Sequence, residues 1–220
     1  MKEILKVVDL SFTYDKEKFV LKDINMSFDS GLTYCIYGKS GAGKSTLLSL
    51  LAGLETSNYG NIYYKNKDLF KSNLDDYRCN EIGIIFQGYN LLFQLTAIEN
   101  IVLSMDISNI KIQDKEKFAL KLLDSVGIDE EKARRRVLHL SGGEQQRVAI
   151  ARALSYDSKI ILADEPTGNL DPDTEDEIID LLLKIAHKEN KCVIIISHSK
   201  DVRSKVDKLY HLVNGKIEKE

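Results

Sequence analysis

Apolar and polar residues alternate over Ile4–Leu10 and again over Val20–Phe28, the period of half-buried strands. Asp29-Ser30-Gly31 is a turn that leads into a short apolar run, Leu32–Tyr37, and then a glycine-rich stretch, Gly38–Gly43. Ser45–Ala52 has helical spacing and stops at Gly53. Strands are predicted at Asn61–Tyr64 and Ile82–Phe86, the latter closed by Gln87-Gly88. From about Asn90 to Leu154 the period changes, and Thr96–Met105, Lys115–Val126 and Gly143–Leu154 each pattern as amphipathic helices. Strand and helix then alternate once more: Lys159–Ala163, Thr174–Lys188, Cys192–Ser197. Leu209–Val213 and Lys216–Glu218 flank Asn214-Gly215, a hairpin turn.

Strands separated by helices predict an α/β fold with a largely parallel sheet, here with a helical segment inserted in the middle. The two prolines, Pro166 and Pro172, share one short turn region, and no linker, repeat or low-complexity tract interrupts the chain. We therefore expect one unit over residues 1–220, with a core of 1–87 and 156–220 and a helical subdomain at about 88–155. Hydrophobic residues at 43% and charged residues at 30% exclude a disordered, collagenous or disulfide-built chain. A net charge of −3, from 31 basic and 34 acidic side chains, gives no basic excess for nucleic acid. The longest apolar stretches, Leu47–Leu54 and Cys192–Ile196, fall far short of the ~20 residues of a membrane span. Lys2, Glu3, Lys6 and Asp9 leave no apolar signal region at the amino terminus. Cys35, Cys79 and Cys192 are odd in number and far apart, which fits inert thiols in a reducing compartment. The charge runs Asp114–Lys117 and Asp129–Arg136 are most simply solvated helix faces.

Gly38-Lys39-Ser40-Gly41-Ala42-Gly43-Lys44-Ser45 matches the G-x-x-x-x-G-K-[ST] pattern of a phosphate-binding loop. Glycines let the backbone turn tightly and present consecutive N–H groups ahead of a helix whose amino terminus is partly positive. Lys44 can reach β- and γ-phosphates, and Ser45 can offer its hydroxyl to Mg²⁺. A second acidic element supports this: Ile160–Ala163 is an apolar strand that ends in Asp164 and Glu165. Asp164 can hold the Mg²⁺ shell, and Glu165 can polarise an attacking water.

Leu140-Ser141-Gly142-Gly143-Glu144-Gln145-Gln146-Arg147 places two glycines after a serine at the start of a helix, a second anion-binding helix start. One chain needs a single cradle for a terminal phosphate, so the second is most economically a cap on nucleotide held by another copy.

With these motifs in this order, the chain resembles the nucleotide-binding subunit of ABC transporters over essentially its whole length. Gly38–Thr46 is similar to Walker A, Gln87 to the Q-loop glutamine, Leu140–Gln145 to the signature and Ile160–Glu165 to Walker B. Asn169-Leu170-Asp171 is similar to the D-loop and His198 to the switch histidine. The resemblance implies a P-loop NTPase core, with an antiparallel β portion and an inserted helical subdomain, that hydrolyses ATP with Mg²⁺. It implies that Gly38, Lys39, Ser40, Gly41, Ala42, Gly43, Lys44, Ser45 and Thr46 bind ATP, with Tyr14 stacking on adenine. It implies Mg²⁺ at Ser45, Gln87 and Asp164, Glu165 as the base and His198 on the γ-phosphate. In trans, Ser141, Gly142, Gly143, Glu144 and Asp171 would face the nucleotide of a second subunit, giving an ATP-bound homodimer. By spacing alone Tyr14 reads as a strand aromatic packed on the core, and His198 and Gln87 alone carry no chemistry. His139, His187 and His211 match no motif. Lys39 stands where the family often has proline, and Glu144 where glutamine is commoner.

Asn90–Asn100, after the Q-loop, together with Pro166–Asp171, resembles the branch of lipoprotein-releasing, macrolide-export and antimicrobial-peptide-resistance ATPases, near the cell-division ATPase. This implies a peripheral subunit on the cytoplasmic face of a membrane, powering an export or extraction complex. A regulatory module that transmits force without moving a solute uses the same ATP chemistry and is the alternative. A soluble phosphate-transferring kinase would carry an acceptor pocket and no Ser-Gly-Gly cradle. Leu91, Leu92 and Phe93 are candidate contacts for a membrane permease subunit, or else core of the helical segment.

Overall fold

The computed structural model describes residues 2–15, 17–57 and 59–218. Two sheets form. In the first, β1 (Glu3–Phe12) pairs antiparallel with β2 (Leu21–Asp29) and β4 (Tyr59–Tyr64), and β5 (Lys67–Asp68) extends the β4 edge. The second has the order β10-β9-β3-β8-β7-β6, built from β3 (Thr33–Tyr37), β6 (Ile82–Ile85), β7 (Ile160–Asp164), β8 (Cys192–Ile196), β9 (Lys208–Val213) and β10 (Lys216–Glu218). Its pairings are parallel except for the β9–β10 hairpin.

The central strands are apolar at nearly every position because both faces of the sheet are covered. The period of two divides their side chains between two cores. Ile161, Ala163, Val193 and Ile195 face α3 (Ala97–Ile107), α4 (Lys115–Ser125), α6 (Gly142–Leu154) and α7 (Pro172–Glu189). Ile160, Leu162, Ile194 and Ile196 face α1 (Lys44–Leu51) and the antiparallel sheet. Met105, Leu123 and Val148 of the inserted helices thus share one cluster with the sheet.

The periodicity did not anticipate β5, α2 (Leu74–Asn80), α8 (Lys200–Lys205) or the 3-10 turns Leu69–Lys71 and Val137–His139. The acidic and basic run at Asp129–Arg136 holds the one-turn helix α5 (Glu130–Ala133), capped by Asp129, with Ala133 buried beneath it. β1 runs two residues further than the alternation suggests, through a register shift between Val7 and Leu10 where Asp9 has φ 48°. All three cysteines are free, and burial pushes the Cys35 thiol up to about 12.

Candidate active site

The loops that carry the motifs leave the carboxyl ends of parallel strands: 38–43 after β3, 87–90 after β6, 165–171 after β7 and 197–199 after β8. Ligands of open α/β sheets bind in the crevice outside those strand ends.

Gly43 caps α1 with φ 104°, and a Cβ there would lie 2.9 Å from Leu21 Cδ2, so only glycine fits. Each other α-helix among the described residues, from α2 under Asn73 to α8 under Ser199, has a capping side chain and an acidic residue in its first turn. Helix α1 has neither. Its leading N–H groups therefore lack the side-chain acceptors that helix starts ordinarily find, and an anion would supply them. The Lys44 ammonium bonds to the loop's own carbonyls, Gly38 O at 2.9 Å and Lys39 O at 3.3 Å. Ser45 is exposed on the first turn. The Tyr14 hydroxyl meets Thr46 Oγ1 at 3.2 Å, and its ring stands edge-on to Phe12 while 65% of the residue stays exposed. The tyrosine is therefore not packed into the core; it flanks the start of α1 with a free face.

Asp164 ends β7. Burial, and then the neighbouring Glu165 charge, raise its carboxyl above the usual carboxylate range, while Lys44 opposes the shift. Glu165 adopts φ 46°, a left-handed conformation held by its N–H bonding to Ile196 O at 2.9 Å. That twist turns its carboxylate toward the end of β8, where Oε2 meets His198 Nδ1 at 3.0 Å. Gln87 turns toward the loop after β7: its Nε2 lies 3.1 Å from where a Cβ on Gly168 would stand, and its carbonyl accepts from Asn169 Nδ2 at 3.4 Å. Lys44, Asp164, Glu165 and His198 thus cluster beside the phosphate loop, with Gln87 joined to them through the turn at Gly168.

Ser141 caps α6 in a reciprocal box: Glu144 N–H donates to Ser141 Oγ at 3.3 Å, and Ser141 N–H donates to Glu144 Oε2 at 2.8 Å. Lys132 pairs with the same carboxylate at 3.0 Å. Glu144 thus has a local structural task, and so has Asp171, which caps α7 through Thr174 N and Oγ1. Ser141 is exposed, whereas Gly142 and Gly143 lie against Tyr89, Leu170 and Thr174. Tyr89 and Arg152, which tie the Q-loop to α6, carried no sequence signal, because lone aromatic and basic residues match no motif. Leu91 is buried in the core at 5% exposure, so it offers no contact surface; Leu92 and Phe93 stand out at 47% and 44%.

The family model described as "ABC transporter" matches residues 21–168. The chain is 45% identical to the uncharacterized ABC transporter ATP-binding protein YclH of Bacillus subtilis, covering 96% of this chain and 94% of that one. It is 42% identical to the lipoprotein-releasing system ATP-binding protein LolD of Rickettsia felis, covering 89% and 87%. Among solved structures, the dimeric post-hydrolysis state of the ATP-binding cassette MJ0796 bound to ADP and Pi superposes with a TM-score of 0.88 at 34% identity, over 98% of this chain and 97% of that one. An uncapped helix behind a glycine loop, a paired carboxylate and histidine at the adjacent strand ends, and these likenesses lead to one conclusion: the chain belongs to the ABC transporter ATP-binding family and is an ATPase.

Proposed function

We propose that the chain is the ATP-hydrolysing subunit of a membrane-embedded export or extraction complex, and that two copies close head to tail around two ATP molecules. The observation that carries this is the pair of helix starts. Helix α1 lacks cap and acid, as a phosphate site requires, and α6 opens with an exposed Ser141 and two glycines on a different loop. The dimeric cassette to which the chain is similar supports the arrangement, and the LolD relatives support a partner in a lipoprotein-releasing type of system.

In this reading the amides of Gly38–Thr46 and the Lys44 ammonium hold the β- and γ-phosphates, and Tyr14 flanks adenine. Ser141, Gly142 and Gly143 receive the γ-phosphate of the opposite copy, with Glu144 and Asp171 beside them holding the two helix starts in place. Among the described residues no group of three His, Cys, Asp or Glu side chains could hold a metal alone. Ser45 and Asp164, with Gln87, are hard donors too few for a full shell, which suits Mg²⁺ bound jointly with phosphate oxygens. When bound, the cation neutralises phosphate charge. Glu165 accepts a proton as water attacks the γ-phosphorus, the bond to the β–γ bridging oxygen breaks, and ADP leaves. His198 orients Glu165 and, in this reading, also meets the γ-phosphate.

Among the described residues no helix is long and apolar enough to cross a membrane, so the span is assigned to a partner, met from the cytoplasmic side near Leu92 and Phe93. The test is a pull-down of tagged Glu165→Gln protein from detergent-solubilised native membranes with Mg-ATP. An ATP-dependent dimer that brings a membrane protein with it supports the proposal. A monomer with no membrane protein overturns it.

A further inference from the structure

The loop that leaves β6 and the helix that starts at Gly142 meet at one side chain. Tyr89 has φ 60° and Asn90 φ 49°, two consecutive side-chain-bearing residues in the left-handed region, an uncommon conformation for a residue as bulky as tyrosine. What holds it is α6: Arg152 donates to the Tyr89 carbonyl at 2.9 Å and to that of Asn90. So held, the Tyr89 ring packs on the core shared by sheet and helices, and its hydroxyl rests over Gly142, 3.0 Å from where a Cβ would stand. Two residues earlier in the same loop, Gln87 packs on Gly168.

We propose that Tyr89 is a positioning residue: a rigid strut through which the Gln87 loop of one subunit sets the stance of its own Ser141–Gly143 cradle. The proposal rests on the reading that two copies close around ATP. It makes the nucleotide in a subunit's own site and the nucleotide that subunit caps in its neighbour interdependent through one aromatic ring. Tyr89 acts through Gly142, and the coupling is reciprocal by linkage.

The experiment uses the full chain in the Glu165→Gln background. Tyr89→Asn keeps a residue at ease with positive φ and leaves the carbonyls for Arg152, but removes the strut. Tyr89→Phe removes the hydroxyl alone. ADP binding to the monomer is measured by calorimetry, Mg-ATP-driven dimerisation by sedimentation, and Tm by scanning. The expected result is ADP affinity within about twofold of the parent, with dimerisation weakened roughly 5- to 100-fold for Asn and by a smaller factor for Phe. Unchanged dimerisation in the Asn variant overturns the proposal, as does a parallel loss of ADP binding, dimerisation and Tm, which marks a packing role only. If the Asn variant does not fold, the Phe variant decides on the same criterion. A parent that fails to dimerise removes the two-copy reading itself, a result distinct from a parent that dimerises alongside unaffected Tyr89 variants.

Discussion

Lys44 lies within the loop it serves, its ammonium bonded to the carbonyls of Gly38 and Lys39, and among the described residues its charge acts on Asp164 without a direct ion pair. A cation held by neutral oxygens exchanges readily for one held by phosphate, because charge-assisted bonds are the stronger. Lys44→Ala is therefore expected to weaken nucleotide binding about 10- to 100-fold, read by calorimetry with ADP and ATP. Glu165 is different: its carboxylate contacts His198 rather than the phosphate loop. Glu165→Gln should retain nucleotide affinity while steady-state phosphate release falls roughly 10²–10⁴-fold, and full turnover in that variant would assign the base elsewhere. The positions of both residues, one at the start of α1 and the other just past the end of β7, were legible in the sequence, since each lies in a motif that joins a strand to the following loop. The left-handed twist at Glu165 was not, because nothing in Asp164-Glu165-Pro166 announces a positive φ at a charged residue.

Among the elements, α6 depends most visibly on its first turn. The backbone N–H of Ser141 and then the Lys132 ammonium hold the Glu144 carboxyl below the usual carboxylate range. A depressed carboxyl contributes stability that is complete above its unfolded value and lost as pH falls through the folded one. Glu144→Ala should therefore cost about 1 kcal/mol at neutral pH, which lowers Tm by roughly 2–4 °C in a chain of this size. The gap between parent and variant should close on acidification below the ordinary glutamate range. A gap that persists there would place the effect outside the cap. The long helices were legible because their apolar period runs over three turns or more. Helices α2 and α8 were not: Leu74 and Tyr77 are the apolar positions of the first besides Cys79, Val202 the one of the second, and so few positions define no period. Their caps, Asn73 and Ser199, were the available signal.

For the whole molecule, alternation of strands and helices pointed to a largely parallel sheet, but strand order is a matter of pairing between distant segments and no local pattern encodes it. The exposed pair Leu92 and Phe93 is a property of this scale too, since it appears only once Leu91 has turned inward. Phe93→Asp should leave ATP affinity unchanged and weaken retention of the membrane partner in the pull-down described above, and equal recovery of the partner would exclude this face. The sheet order also bears on how the chain is made. Strand β3, which leads into the phosphate loop, lies between β8 and β9, so residues 33–37 must wait for partners synthesised after residue 191. On a ribosome that interval is about 10–30 s, during which an apolar strand and its glycine loop have no neighbours on either side. Nucleotide therefore cannot template this site early in synthesis, and a nascent chain halted before β9 should emerge with the full phosphate-loop sequence yet fail to retain ATP.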